Sequence, residues 1–205
     1  MDAGRFGSDV VALGGTTPTA REFGDLAAAY AEAHRHYHTL EHVGACLASL
    51  DSHRELAVRP AEIAVALWFH DAVYDTHRDD NEALSAEWAG RFLRKHRVAA
   101  DVIARVERMI LATRHSATDP VADTALLVDI DLGILGQRAS VFDRYDVDIR
   151  REYAWVGDDA YRAGRRRVLE SFLARPRIYA TETFHDAFDR TARSNLERAL
   201  ARLAR

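Results

Sequence analysis

The segment 67–75, Leu-Trp-Phe-His-Asp-Ala-Val-Tyr-Asp, places ionisable side chains inside a pattern that otherwise predicts a buried helix. With 3.6 residues per turn, His70 continues an apolar stripe, and Asp71 and Asp75 lie beside it. The other members of the stripe are Ile63, Leu67 and Tyr74. A buried carboxylate without a partner is energetically costly. The segment therefore predicts that these groups are paired, hydrogen-bonded or bound to a metal ion, with further ligands supplied by other helices.

The composition is that of a soluble globular protein and favours helices. Hydrophobic residues make up 48% of the 205 residues and charged residues 29%, with Leu, Ala, Arg and Glu dominant. A net charge of −4 argues against nucleic-acid and membrane-surface partners. Cys46, the single cysteine, excludes an intramolecular disulfide and a Cys-rich zinc site. With no signal-like opening and no apolar run long enough to span a bilayer, we expect a cytoplasmic protein.

The spacing of apolar residues predicts an all-α fold in one domain. Residues 1–16 carry four glycines and little periodicity, so we expect a mobile lead-in, followed by a single helical domain over 17–205. Pro60 suits the first position of a central helix, where its missing N–H costs nothing. Segment 125–136 could be a buried strand or a helix. Further helices are expected at about 80–96, 101–114, 139–156, 158–174 and 185–203.

Four of the ten histidines fall within residues 34–42. His38 and His42 are four apart, so on a helix they would project from one face and could bind a metal ion. The alternative is two surface or half-buried histidines near the start of a helix.

Asp131 lies in a strongly apolar segment, where a solvated acid is hard to explain. A helix N-cap is the alternative there. With the residues above it completes a set in the order H…HD…D, namely His42, His70, Asp71 and Asp131. Mixed imidazole and carboxylate ligation suits Mn²⁺, Fe²⁺, Co²⁺, Ni²⁺ or Zn²⁺ better than Ca²⁺.

On these residues the chain resembles the HD-domain metal-dependent phosphohydrolases, and within them the bacterial branch of predicted HD phosphohydrolases. The resemblance runs from about Tyr30 to Asn195. The motifs that carry it are Arg35-His36-Tyr37-His38, His42, His70-Asp71-Ala72-Val73-Tyr74-Asp75, Asp80-Asn81-Glu82 with Ser85-Ala86, Thr113-Arg114-His115-Ser116 and Asp131-Leu132-Gly133.

The resemblance implies an all-helical bundle, and hence a helix over 125–136. It also implies one divalent ion, Mg²⁺ being a further candidate, held by His42, His70, Asp71 and Asp131. Of the two acids in that segment, Asp131 fits because it directly precedes Leu-Gly, as the family's ligand does. Asp129 is the second choice.

A divalent ion would polarise a phosphoryl oxygen and make hydroxide available near neutral pH. Asp75, four residues after Asp71, is the candidate catalytic base. It matches the second acid of the pair that follows the HD motif in (p)ppGpp hydrolase domains, whereas Tyr74 replaces the first acid, which argues against (p)ppGpp as the substrate. A surface acid at the end of a helix is the alternative role for Asp75.

Phosphate also needs cationic or N–H donors. Arg35 and Arg114 are the candidate arginines, and ordinary solvated side chains are their alternative. His38 and His115 are candidates to bind phosphate or a second metal ion.

The sequence thus predicts a metal-dependent phosphohydrolase acting on a nucleotide or another small phosphate ester, as a monomer or homodimer. One alternative is a non-catalytic regulatory module that keeps the metal site. Another is a di-iron oxygenase, in which His38 or His115 would bind a second iron. The number of metal ions per chain separates the oxygenase from the other two.

Overall fold

The computed structural model describes residues 2–114 and 121–204. Over those two ranges the chain is helical and contains no strand, which confirms the predicted all-α fold. The helices group into two compact units, Met1–Ile130 and Asp131–Arg205. The division falls between Ile130 and Asp131, the last two residues of one helix.

Within its described residues, the first unit contains seven α-helices. They are α1 (Ala3–Ala12), α2 (Ala20–Ala29), α3 (Leu40–Ser52), α4 (Pro60–Phe69), α5 (Asn81–Lys95), α6 (Ala100–Ala112) and α7 (Ala122–Asp131). A single 3₁₀ turn, Arg54–Leu56, follows α3. Segment 125–136 is therefore helical over its first part, as the resemblance implied, and continues as a 3₁₀ helix over Leu132–Gly136.

Helix α4 lies at the centre of the first unit and packs against α1, α3, α5 and α6. Residues 62–69 are all buried, so the helix has no solvent face. Pro60 is its first residue, as predicted. The backbone N–H groups of Val58 and Arg59 donate to the Asp123 carboxylate of α7 at 2.7 and 3.0 Å. This acid satisfies N–H groups at the start of α4, which the Arg59 side chain does not cap.

Helix α1 stands where the sequence predicts a lead-in without regular structure. Phe6 is 1% exposed and packs edge-on against Trp68 of α4, with ring centroids 5.4 Å apart. Val10, one turn later, is fully buried. Gly4 and Gly7 disfavour a helix intrinsically, but burial of these apolar side chains against α4 outweighs that preference.

The second unit is built on the Leu132–Gly136 segment. Its helices are α8 (Ala139–Glu152), α9 (Asp158–Leu173) and α10 (Glu182–Leu203), close to the predicted bounds. The buried Asn195 of α10 donates to the carbonyl oxygens of Leu135 and Gln137 at 2.8 and 2.7 Å. A Cβ at Gly136 would lie 2.5 Å from the Cβ of Phe188, so glycine is what allows this close approach of α10.

Glu22 of α2 links the N-terminal segment to the end of α5. Its Oε1 lies 2.7 Å from Lys95 Nζ and 3.1 Å from His96 Nε2, and His96 Nδ1 lies 3.0 Å from the carbonyl oxygen of Thr16. The Lys95 hydrogen bond, opposed by desolvation, lowers the pKa of Glu22 to about 2.

This link predicts an acid-dependent loss of stability. Because the folded-state pKa of Glu22 is below its ordinary value, its contribution is present above about pH 4.5 and is lost as the pH falls towards about 2. Glu22→Gln should lower the free energy of unfolding at pH 7 by about 1.5–3 kcal/mol and flatten its decline in acid. Urea unfolding across pH 2.5–7 measures both. The control is Glu87→Gln, an exposed acid paired with Arg91 on α5, for which about 0.5 kcal/mol or less is expected. An unchanged acid profile in Glu22→Gln would contradict the prediction.

No helix in the described part of the chain is both long enough and apolar enough to cross a bilayer.

Candidate metal centre

Helix α4 ends one residue before the first ionisable group of the opening motif. Phe69 is its last residue, and His70 caps it with helical angles of −56° and −36°. Residues 71–75 then form a non-helical turn. The prediction that Asp71 and Asp75 continue the helix is therefore wrong, because the chain leaves the helical path where these polar groups begin.

His70 is held by its own helix. Its ring is 1% exposed, and Nδ1 lies 2.8 Å from the carbonyl oxygen of Leu67. A carbonyl oxygen can only accept a hydrogen bond, so Nδ1 carries a proton. In the neutral ring, Nε2 then keeps its electron pair available for a metal ion. Fixing one ring nitrogen in this way is how proteins orient histidine ligands of metal ions.

His42 approaches from α3. Its Nε2 lies 3.1 Å from His70 Nε2, and its ring is buried. His38 does not share its helical face, because α3 begins at Leu40 behind the N-cap Thr39. His38 instead stacks on Tyr74 with ring centroids 4.1 Å apart. The pair that sequence spacing placed on one helix is therefore a helical residue and a residue of the preceding turn.

Asp71 brings a carboxylate to both rings. Its Oδ2 lies 3.0 Å from His70 Nε2 and 3.8 Å from His42 Nε2. The Asp71 side chain is 18% exposed, so solvent reaches the cluster from the side of the acids.

Asp131 completes the cluster. It ends α7, and one carboxylate oxygen lies within 4.8 Å of ligand nitrogens of both His42 and His70. Asp129 is fully buried two residues earlier. Residues two apart on a helix point about 200° away from each other, so both acids cannot face the histidines. The geometry favours Asp131, the acid that the sequence also favours.

The donor set fits a divalent cation. Two ligand atoms bound about 2.1 Å from one ion, at angles of 90–110°, lie about 3.0–3.4 Å apart. The Nε2–Nε2 separation of 3.1 Å and the Nε2–Oδ2 separation of 3.0 Å match that spacing. With the His70 proton on Nδ1, the electron pair of His70 Nε2 lies 3.0 Å from the Asp71 carboxylate oxygen, and a cation between the two atoms would relieve their repulsion.

Two further residues lie next to the centre, and neither was among the predicted site residues. Cys46 lies one turn beyond His42 on α3, with Sγ 3.8 Å from each nitrogen of the His42 ring. Ser85 of α5 accepts a hydrogen bond from the backbone N–H of Val73 at 3.0 Å. The i, i+4 spacing of His42 and Cys46 on a helix is the signal that could have indicated the first contact. Only the fold brings Ser85, which lies in a motif of its own, to the turn after His70.

The sequence predicts that Arg35 binds phosphate, but in the structure its guanidinium is bonded to backbone carbonyl oxygens. Its Nη1 donates to the carbonyl oxygen of Asp71 at 2.6 Å and its Nη2 to that of Ala72 at 3.1 Å. The side chain is 0% exposed, and Nε donates to Glu32. To bind a phosphate, Arg35 would have to give up these bonds.

Asp75 lies in the turn, with its side chain 49% exposed. Its Oδ1 accepts from the backbone N–H of His77 and lies 2.9 Å from His77 Nδ1. These bonds lower the pKa of Asp75. Asp75 as the base stays a prediction, and it would act from the loop and not from a helix.

Of the remaining phosphate-binding candidates, Arg114 is exposed just after the C-cap of α6. His115 lies outside the residues that the structure describes.

Comparisons of the chain with protein-family models, with curated proteins and with solved structures find no match. The basis for assigning a function is therefore the group that could hold a metal ion: His42, His70 and Asp131, with Asp71 beside them.

Proposed function

We propose that the chain is a metal-dependent phosphohydrolase that acts on a nucleotide or another small phosphate ester. The observation that carries the proposal is the convergence of two buried histidines and two half-buried carboxylates from α3, α7 and the end of α4. A divalent ion held there would supply a polarised phosphoryl oxygen and an activated water.

The chain's own residues would prepare the site. The Leu67 carbonyl fixes the His70 ring so that Nε2 faces the cluster. Asp71 and Asp131 supply the negative charge that offsets a dication, and their partial exposure leaves room for a substrate from the solvent side.

A regulatory module with the same metal site and no turnover is the second candidate. The observation that favours it is the position of the predicted catalytic base, Asp75, and of the predicted phosphate-binding arginine, Arg35. Asp75 is bonded to His77, and Arg35 is bonded to backbone carbonyl oxygens. Neither residue directs an uncommitted group towards a substrate phosphate.

The test is a metal analysis combined with a phosphate-release screen. Protein purified without chelator or affinity metal is analysed for bound elements, then assayed on nucleotides and sugar phosphates with Mn²⁺, Co²⁺, Ni²⁺ or Mg²⁺. We expect one metal ion per chain and phosphate release from at least one substrate.

Each other outcome points elsewhere. One metal ion without turnover of any substrate favours the regulatory module. Two irons per chain favour an oxygenase. Absence of metal both as purified and after refilling contradicts the metal centre itself.

A further inference from the structure

In the turn after His70 the Ala72 N–H donates to the carbonyl oxygen of Phe69 at the end of α4, at 3.0 Å, but several other backbone groups bond to side chains. A buried peptide group without a hydrogen-bond partner is costly, so a non-helical turn in this position needs partners from elsewhere. Side chains supply them on two sides. From the side of α3, Arg35 donates to the carbonyl oxygens of Asp71 and Ala72 at 2.6 and 3.1 Å.

From the side of α5, two side chains hold the rest of the turn. Ser85 bonds to both the N–H and the carbonyl of Val73, at 3.0 and 3.3 Å. Asn81 accepts from the N–H of Asp75 at 3.0 Å and donates to its carbonyl at 2.9 Å. Side chains from outside the turn thus bond to the backbone of Asp71, Ala72, Val73 and Asp75.

Arg35 differs from the α5 residues because it also holds the segment that leads to the other histidine. Its Nη1 donates to the carbonyl oxygen of His38 at 3.2 Å, four residues before His42. One guanidinium therefore joins the turn that carries Asp71 to the start of the chain segment that carries His42.

The Arg35 guanidinium is itself fixed in place. The side chain is fully buried, with Nε bonded to Glu32 at 3.0 Å. Its Cζ lies 5.2 Å from the ring centroid of Tyr30 and 5.5 Å from that of Tyr74. A charged group held this way by flanking rings and carbonyl oxygens has little freedom to move.

We propose that Arg35 is a positioning residue of the metal centre, which sets the Asp71 carboxylate against the His42 and His70 rings. The inference rests on the proposed metal site, and it assigns to Arg35 a role in metal affinity in place of a contact with phosphate. The fork geometry of the guanidinium is essential, because its three nitrogens together serve four acceptors, and the three donors of a lysine ammonium cannot replace them all.

The experiment is a Co²⁺ titration of the full chain. Calorimetry measures the affinity, and the visible absorption of bound Co²⁺ reports the geometry of its ligands. Arg35→Lys keeps the charge but loses the fork. Groups that orient metal ligands typically change metal affinity about 10- to 100-fold when replaced. We expect Co²⁺ affinity to fall by that factor and the absorption spectrum to change, because Asp71 is no longer held at the same angle.

A second variant and a control make the result decisive. Glu32→Ala removes the acceptor of Arg35 Nε from an exposed position, and should weaken Co²⁺ binding in the same direction by a smaller factor. The control is Arg105→Lys, which breaks an equally tight two-point contact with the buried Glu62, at 2.7 Å for each bond, near the start of α4. It should lower the melting temperature and leave affinity and spectrum unchanged.

Two failures are distinguishable. Wild-type Co²⁺ affinity and spectrum in Arg35→Lys and Glu32→Ala, or equal changes in Arg105→Lys, would overturn the role of Arg35 and leave the proposed function standing. A wild-type chain that binds no Co²⁺ would overturn both.

Discussion

Replacing His70 with alanine is expected to abolish stable metal binding, and with it any phosphate release. The Nε2 of His70 lies 3.1 Å from His42 Nε2 and 3.0 Å from Asp71 Oδ2, so its loss removes the atom common to the two shortest contacts of the cluster. Replacing a group that only orients a ligand costs about 10- to 100-fold in affinity. Loss of a ligand itself should exceed that range, and Co²⁺ calorimetry with elemental analysis measures it.

The matched control is His53→Ala. His53 caps α3 as His70 caps α4, and its Nδ1 likewise bonds to a carbonyl oxygen of its own helix, that of Ser49, at 2.8 Å. It is not part of the cluster that could hold a metal ion. His53→Ala should keep wild-type metal content. Wild-type metal content in His70→Ala would refute the site.

Trp68→Ala is expected to be the most destabilising single substitution considered. Trp68 is 0% exposed in the last turn of α4 and packs edge-on against Phe6 and Phe23, with ring centroids 5.4 and 6.1 Å away. Truncating a buried Trp typically costs about 3–5 kcal/mol, a large part of a domain's total stability. The substitution also removes the indole N–H that donates to Asp9 at 2.8 Å.

The loss of that donor adds to the effect. Desolvation already raises the pKa of Asp9, and the Trp68 hydrogen bond opposes the rise. Urea unfolding of Trp68→Ala should therefore show a free energy of unfolding that is lower by about 3–5 kcal/mol. Trp155→Ala, at a side chain that is 54% exposed, is the control, with about 0.5 kcal/mol or less expected. Similar losses in both variants would contradict the assignment of Trp68 to the core.

The turn after His70 also explains the spacing of the polar motif residues at the start of α5. The Asn81 and Ser85 side chains look in sequence like the start of an ordinary helix. In the structure they bond to the backbone of Asp75 and Val73, on the turn that follows His70. A helix start opposite a turn can satisfy peptide groups that the turn cannot satisfy by itself.

Local pattern was sufficient for most of the helices. Pro60 begins α4 as predicted, because its fixed φ and absent N–H suit the first helical position whatever the rest of the chain does. The amphipathic helices α5, α6, α8, α9 and α10 likewise fall close to their predicted bounds, since a 3.6-residue period of apolar side chains is a property of the segment itself. The pattern of the α7 segment left strand and helix open, and only the resemblance implied a helix there. The local pattern does not predict helix α1, because that helix is stabilised by burial of Phe6 and Val10 against α4 and not by the intrinsic helix propensity of its residues.

For the candidate site, the sequence by itself determined which residue types could bind a metal ion, and it predicted one set of His42, His70, Asp71 and Asp131. Only the tertiary structure decided where the helix stops, which left Asp71 on a turn, and how the buried Arg35 is used. The physical reason is that ligand chemistry is a property of single side chains. The partners of a backbone carbonyl or a guanidinium depend on which distant segments the packed helices bring within hydrogen-bond distance.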